Sequence, residues 1–470
     1  MSVTLKTSAR ADNPTQQFVH SFPFQVVVLC LVHIPLAYAL GLSGRLGMVH
    51  GFLILIWGIR AAIRQNTNQV MYTLGYLAGA EILWRMTGAD LFWEFSKYAA
   101  VLVILLAIMI ERRNLPIYRP HLGQIYEASR VPRHLNPVPL FCFALLIPST
   151  ILTLLALGFN DARQQISFNL SGPLALAVLG LYFWKRPLSR QQLVWLLAAI
   201  MAPITGVLFR AAYSTFTTDV VFTLDSNFTT SGGYGPNQVS NILGFGALAA
   251  FILVIVKWSS PGLRFFTLSL LAAFVLQAFL TFSRGGVLSL FIAVILLGLH
   301  LAQNPQARGR ILFIAAIAYG AGVSIIAPFL DDFTNTLWQQ RFIDLNTTGR
   351  TEVAAADWQA FLDSPLVGIG VGLSSSYHQL LAGINVTAHT EVTRMLAEHG
   401  LLGALSLVIV LLMVGHSYLR AEPGVSRAFT IALAGWAFFV MMQSAMRFLA
   451  IPLALALAFV TWQVSLNEPE

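Results

Sequence analysis

Residues 238–257 read QVSNILGFGALAAFILVIVK, and this stretch decides the fold class because it is uncharged and mostly apolar up to Lys257. About 20 helical residues cross a hydrocarbon core about 30 Å thick. Similar stretches recur along the 470 residues, of which 57% are hydrophobic and 10% charged, with a mean hydropathy of +0.72. An average soluble domain carries roughly 25% charged residues. The composition therefore excludes a soluble enzyme and predicts an all-α, polytopic membrane protein.

The apolar stretches predict about 12–14 transmembrane helices, because some of the candidates are short for a span. The candidate spans are 22–40, 47–60, 68–86, 96–110, 138–158, 170–184, 192–209, 238–257, 264–282, 286–302, 310–328, 400–416, 426–443 and 447–465. They divide the chain into a helical bundle at 1–328, a long, partly helical outer loop at 329–399 and C-terminal transmembrane helices at 400–470.

The distribution of lysine and arginine predicts the orientation of the chain. Cytoplasmic loops carry an excess of these residues, and with both termini inside, all but ten of the 28 fall on the inner side. The ten outer cations are Arg45, Arg85, Lys97, Arg163, Arg210, Arg284, Arg341, Arg350, Arg394 and Arg447. The net charge of +8 therefore reflects membrane topology rather than a nucleic-acid partner.

The outer cations are nearly all arginines, although topology requires no positive charge on that side. Arginine binds phosphate through two parallel hydrogen bonds and keeps its charge when partly buried. Arg85, Arg163, Arg284 and Arg447 lie closest to predicted outer helix ends, where they could reach the head group of a lipid-linked phosphate. The alternative is that these arginines extend to the membrane surface or pair with nearby carboxylates.

The outer loop at 329–399 is a candidate functional segment, since a connection of about 70 residues with helical pattern is usually functional. Residues 349–362 predict an amphipathic helix, and its apolar side carries Val353, Trp358, Phe361 and Leu362. The run GIGVG at 368–372 predicts a flexible turn. Its backbone could approach a phosphate or pack at the membrane surface without any ligand.

A second helix is expected to begin near Thr387, which places His389 in its first turn. The helix dipole there disfavours the imidazolium and leaves a neutral ring that can accept a proton. A hydrogen-bonded structural histidine is the alternative. Arg394 follows Glu391 by three residues and precedes Glu398 by four, so ion pairs within the helix are expected.

Two polar stretches stand at predicted helix mouths, SGGYGPNQVSNILG at 231–244, which includes Asn237, and DARQQISFNLSG at 161–172. Each suits either a polar ligand or a simple helix cap. The chain has no Walker A sequence, its two cysteines lie inside apolar runs, and no clear set of outer metal ligands is present. No cofactor is therefore expected, and a phosphate leaving group would depend on arginine.

His389 and Thr390 are followed, after nine residues, by Gly400 and Gly403, which are also spaced for close helix packing. This frame resembles the ligases of the O-antigen ligase and polymerase superfamily, with threonine where the family usually has Asn, Ser or Gln. FSRGG at 282–286 is similar to the arginine-bearing helix start that precedes the family's long periplasmic loop.

The resemblance implies a membrane glycosyltransferase of the bacterial inner membrane, with both termini cytoplasmic and the active site in the periplasm. An inverting, metal-independent O-antigen ligase of lipopolysaccharide biosynthesis would pass a glycan from undecaprenyl pyrophosphate to lipid A-core. His389 would be the general base and Arg284 would stabilise the leaving pyrophosphate. The expected substrate contacts are Arg85, Arg163, Arg210, Asn237, Arg350 and Arg394.

Two alternatives stay open. A repeat-unit polymerase of the same superfamily would use the same donor with another lipid-linked glycan as acceptor. A transporter of lipid-linked glycan would perform no chemistry, but transporters often show two related halves, and none is evident in this sequence.

Overall fold

The computed structural model describes residues 21–113, 135–256, 260–303, 305–343, 349–383, 386–388 and 390–464. These ranges are largely helical, which confirms the all-α prediction. The helices are α1 (Phe22–Leu40), α2 (Gly44–Ile63), α3 (Thr67–Met86), α4 (Phe95–Arg112), α5 (Val138–Ala144), α6 (Ile147–Phe183), α7 (Arg190–Thr217), α8 (Pro236–Val256), α9 (Pro261–Leu280), α10 (Arg284–Leu301), α11 (Pro305–Ala321), α12 (Ala327–Thr334), α13 (Leu337–Ile343), α14 (Arg350–Asp363), α15 (Ser374–Ala382), α16 (Glu391–Arg420), α17 (Val425–Ser444) and α18 (Ala450–Leu457). A 3-10 turn (Thr229–Ser231) precedes α8 and a π-helical turn (Gly322–Ile326) joins α11 to α12.

Ten helical segments within the described ranges are long and apolar enough to cross a membrane. They are Phe22–Leu40, Gly44–Ile63, Val138–Phe183, Arg190–Thr217, Pro236–Val256, Pro261–Leu280, Arg284–Leu301, Arg308–Thr334, Glu391–Arg420 and Val425–Ser444. The predicted spans 68–86 and 96–110 coincide with α3 and α4, which are also long helices but carry more polar residues. The chain is a multi-pass membrane protein.

The stretch quoted first forms α8, and the whole apolar window of this helix is buried inside the protein. α8 packs against α7, α9 and α10. A helix that is apolar on every side is suited to such a central position. In the peripheral segment Arg308–Thr334, by contrast, only 6% of the apolar window is buried, so its surface is left for lipid.

α6 is a helical hairpin rather than a straight rod. Its 37 residues would extend about 55 Å at 1.5 Å per residue, but Gly158 interrupts it with φ 72° and ψ 169°. Glycine adopts such a left-handed φ without steric cost. The chain then turns back so far that a Cβ on Gly180 would lie 3.2 Å from Pro139 in α5. Residues 161–172, which were predicted to stand at a helix mouth, are helical and begin the second arm of this hairpin just after the bend.

The predicted span 447–465 contains a helix of only eight residues, α18. The turn at 445–449 (the C-terminal turn) precedes it, and Ala445 opens this turn with a φ of 48°. Strand β2 (Thr461–Gln463) follows and pairs in parallel with β1 (Pro187–Ser189), a pair that the hydropathy pattern did not predict. Residues 450–460 are buried throughout, so this segment runs inside the protein between the C-terminal turn and the strands.

In the outer loop, α14 confirms the predicted helix, and only part of its apolar side is buried. Val353 is buried, whereas Trp358 and Leu362 are each 53% exposed. Ala356 and Asp357 are buried instead. The small side chain of Ala356 suits the close contact of α14 with α15 and α16, and Asp357 is buried because it has hydrogen-bonding partners there.

The helix predicted to begin near Thr387 begins at Glu391 and bends at Gly400, which has φ 61° and ψ −144°. After the bend, Gly403 lies so close to the Met395 carbonyl that a Cβ would overlap it. The two glycines were expected to pack neighbouring helices together. They instead shape a bend within α16, between its outer turns and its membrane-spanning part.

Candidate active site

The C-terminal turn collects charged side chains from the first half of the chain. The carbonyl oxygen of Arg447 accepts hydrogen bonds from Arg85 Nη2 at 3.3 Å and Lys97 Nζ at 3.2 Å. Glu81 pairs with Arg85 through one oxygen and accepts the Leu449 N–H at 2.6 Å through the other. Lys97 and Glu81 are 1% and 2% exposed. Because buried charges are costly unless they are paired and hydrogen-bonded, these contacts fix the position of the turn.

The first turns of α16 contribute a second buried group of charges. Arg394, 2% exposed, pairs with Glu391 at 2.5 Å and Glu398 at 2.9 Å, which confirms the ion pairs expected from the spacing. Glu391 also accepts the Met446 N–H at 3.1 Å, and Glu398 accepts the Ser374 hydroxyl at 3.1 Å. Arg394 therefore pairs with two carboxylates, each of which also binds another part of the chain.

The side chain of Arg447 reaches the segment that precedes α16. Its Nη1 donates to Asn169 Oδ1 and its Nη2 to the Ala388 carbonyl, both at 3.3 Å. Its Cζ lies 4.3 Å from the ring centroid of Phe168. His389, the predicted base, lies outside the described residues, but its neighbour Ala388 is thus held by the charge of Arg447.

The residues that follow are held by a chain of polar contacts in the outer loop. Thr390 caps α16 by accepting the Thr393 N–H at 3.0 Å. The Thr393 hydroxyl donates to Asp357 at 2.6 Å, and His378 bonds to Asp357 at 2.6 Å and to the Val386 carbonyl at 2.7 Å. Because both partners of this imidazole are acceptors, its protonated form can donate from both ring nitrogens, and His378 then forms a buried ion pair with Asp357.

The stability of this part of the loop is expected to depend on pH. Burial acts to lower the pKa of His378, but the hydrogen bonds with Asp357 and Val386 outweigh it and raise the pKa above its usual value. A raised folded-state pKa means that the stabilisation is complete below the ordinary pKa of about 6.5 and is lost as pH rises through the raised value. Amide exchange in α15, corrected for its intrinsic pH dependence, should therefore accelerate above that value.

The His378→Gln protein provides the control for this pH effect, because glutamine has no proton to lose. Its exchange in α15 should be faster than in the wild type at low pH and should lack the additional acceleration at high pH. An identical pH dependence in both proteins would show that another group causes it.

The GIGVG run packs against the bend in α16. The N–H of Ile369 donates to the Ala397 carbonyl at 3.0 Å, and that of Gly370 donates to the Glu398 carbonyl at 3.2 Å. These carbonyls lie just before Gly400, where the helix loses its regular bonding. The two amides are therefore committed to capping a helix segment, and the interpretation of this run as a protein-packing element is supported over a phosphate loop.

The start of α10 forms a neighbouring part of the site. Arg284 is the first helical residue, and Ser283 before it makes no side-chain cap. The Ser283 hydroxyl instead donates to Asn237 at 2.7 Å, and Gln443 lies against the same first turn. Burial and the nearby charge of Arg284 both lower the pKa of Arg350. The structure thus brings three predicted site residues together at one helix N-terminus, which favours anions.

Arg85 connects this part of the site to the C-terminal turn. Its Nη1 donates to Gln238, the residue after Asn237, at 2.8 Å, and its guanidinium lies 4.2 Å from the Trp93 ring centroid. Two other predicted site residues do not join these contacts in the described ranges. Arg163 is exposed on α6, and Arg210 packs against the end of α1 at Gly41.

Sequence reasoning missed the roles of Lys97, Gln238 and Gln443. Lys97 and Glu81 lie inside predicted spans, and intramembrane charges are rare enough to indicate function, so this signal was available. The two glutamines carry no comparable signal, because only the fold brings them beside Arg85 and α10. No group of three potential metal-binding side chains occurs in the part of the chain that the structure describes.

The fold and the site define a multi-pass membrane protein with a polar, arginine-rich centre at one end of its helical bundle. Residues 268–408 match the family model described as O-Antigen ligase. This part of the chain is therefore similar to the O-antigen ligase domain, whose family of ligases and polymerases transfers glycans at membranes. The match includes Arg284, the outer loop and the bend in α16, whereas the C-terminal turn lies beyond it. No curated protein matches the chain in sequence.

Proposed function

We propose that the protein transfers a glycan from undecaprenyl pyrophosphate to a sugar hydroxyl of lipid A-core, on the periplasmic face of the bacterial inner membrane. Both termini are then cytoplasmic. The main support is that the residues matching the family include Arg284 at the start of α10, the nearby Arg350, and the segment beside His389.

In the proposed reaction, His389 removes the proton from the acceptor hydroxyl. The resulting oxygen nucleophile forms a bond to the anomeric carbon from the face opposite the leaving group, so the configuration inverts. The bond between this carbon and the phosphate oxygen breaks, and undecaprenyl pyrophosphate departs with the electron pair. Arg284 stabilises the negative charge that develops on it, aided by the helix dipole at the start of α10.

The other predicted substrate contacts are supported by different kinds of observation. Arg350 and Asn237 lie beside the start of α10, and Arg85 adjoins Asn237 through Gln238. Arg394 acts in this proposal by holding α16 through its glutamates. Arg163 and Arg210 remain proposed contacts for the lipid-linked donor, and their support is their predicted position on the outer side.

Arg284→Lys is expected to lower the transfer rate about 10²-fold or more, as for the loss of one transition-state hydrogen bond donor. Lysine keeps the charge but cannot form the planar two-pronged contact of arginine with phosphate. The measurement is the transfer rate of the purified protein in detergent. Arg45→Lys, at an exposed outer position, is the matched control. Full activity of Arg284→Lys would mean that only a point charge is needed.

The proposed function is tested with purified protein and an undecaprenyl-pyrophosphate oligosaccharide, with and without lipid A-core. A product that requires lipid A-core supports the ligase. A ladder of longer lipid-linked glycans without added acceptor would instead establish the polymerase, which differs only in its second substrate. Donor that is never consumed under either condition would overturn the enzymatic proposal and favour transport.

A further inference from the structure

We propose that Arg447 is a positioning residue, which fixes the backbone beside His389 through the C-terminal turn. The inference rests on the proposed function only in naming His389 as the group that is positioned. Arg447 lies outside the residues that match the family, so its role comes from the contacts of this chain.

The first step of the argument is the geometry of the guanidinium. Its two Nη atoms donate to two different acceptors, the Asn169 side chain in α6 and the Ala388 carbonyl, at 3.3 Å each. Asn169 is itself held, because its Nδ2 donates to the Gln165 carbonyl at 3.0 Å. The Cζ of the guanidinium lies over the ring of Phe168. Arg447 therefore connects a membrane helix to the residue that immediately precedes His389.

The second step is that the same turn holds the chain on both sides of His389. The side chain of Arg447 binds Ala388, and the backbone N–H of the preceding residue, Met446, donates to Glu391 at 3.1 Å. Two consecutive residues of the turn thus bind residues on either side of the proposed base. A displacement of the turn would move both attachments together.

The third step is that the turn is itself immobilised. Arg85 and Lys97 donate to the Arg447 carbonyl, so the residue whose side chain binds Ala388 has its backbone held by two buried cations. Residues in a catalytic arrangement must be held closely, because a misplacement of about 1 Å can cost about 10²-fold in rate. The position of His389 should therefore be sensitive to changes in Arg447.

The test compares wild type, Arg447→Lys, Asn169→Ala and the double variant in the glycan-transfer assay, with Arg45→Lys as the exposed control. Lysine keeps the charge but cannot bridge both acceptors. We expect kcat to fall about 10-fold or more in Arg447→Lys, with the donor KM changed less than about 3-fold, because misplacement affects the chemical step. Because Asn169 acts through Arg447, kcat of the double variant should be no lower than kcat of the more impaired single variant.

Hydrogen exchange gives a readout that needs no substrate. The amides of 386–393 should exchange faster in Arg447→Lys than in wild type or Arg45→Lys, while the thermal unfolding midpoint in detergent shows that the protein is folded. If Arg447→Lys does not fold, Asn169→Ala, which leaves every charge in place, is judged by the same criteria. If wild-type protein transfers no glycan, the proposed function fails, yet the exchange result still tests the positioning.

Three outcomes would overturn the inference. Unchanged kcat together with unchanged exchange in the folded variants would show that Arg447 positions nothing. A raised donor KM with unchanged kcat would show that Arg447 binds the donor directly. If the fold-decrease in kcat of the double variant equals the product of the fold-decreases of the two single variants, Asn169 and Arg447 act independently.

Discussion

Alanine in place of His389 should lower the rate of glycan transfer by about 10²–10⁴-fold, the usual contribution of a general base. The variant should insert and fold normally, because the segment around the base is held by Arg447 at Ala388 and by the cap at Thr390. The rate is measured with purified protein at saturating donor and acceptor, beside a thermal unfolding measurement in the same detergent.

The matched control is His416→Ala, a histidine near the other end of α16, which stacks on Trp184 and should be replaceable without loss of transfer. Near-normal transfer by a folded His389→Ala protein would exclude this residue as the base. Loss of transfer in both variants, with lower unfolding midpoints, would show instead that α16 does not tolerate substitution.

The second large effect is on stability. Arg394→Met should lower the free energy of unfolding by about 3–5 kcal/mol, the usual cost of removing one partner from a buried ion pair. The loss arises because Glu391 and Glu398, 0% and 1% exposed, would be left as buried carboxylates without their counter-ion. Unfolding of the purified protein by heat or denaturant in detergent measures the change.

A triple variant separates the charge effect from the effect of side-chain size. Combining Arg394→Met with Glu391→Gln and Glu398→Gln removes all three charges, and glutamine can still accept from Met446 and Ser374. The triple variant should be more stable than Arg394→Met alone. If it is less stable, the loss in the single variant reflects packing rather than unpaired charge.

The sequence predicted what depends on composition and on short spacings. Hydropathy predicted α8 and most other spans, because the apolar composition of a segment is enough to identify it as a membrane helix. The ion pairs of Arg394 were predicted from spacings of three and four residues along one helix. The helix at 349–362 was also predicted, but the burial of Asp357 was not, because the partners that hold Asp357 inside lie in other elements.

The contacts that shape the candidate site could not be predicted in this way. The hydrogen bond between Arg447 and Asn169 joins residues 278 positions apart, and that between Arg85 and Gln238 joins residues 153 apart. Such pairs follow from how the helices pack, for which hydropathy gives no information. The bend at Gly158 was missed for a related reason, since only the backbone shows that two predicted spans form one hairpin.

The late position of the C-terminal turn has a consequence for biosynthesis. The residues that match the family end at 408, but the turn that binds Ala388 and Glu391 is translated almost 40 residues later, at 445–449. During synthesis, the outer loop therefore emerges before the residues that anchor it. The loop can reach its final arrangement only after α17 and the turn have entered the membrane, so a chain that stops short keeps the family region but lacks these anchors.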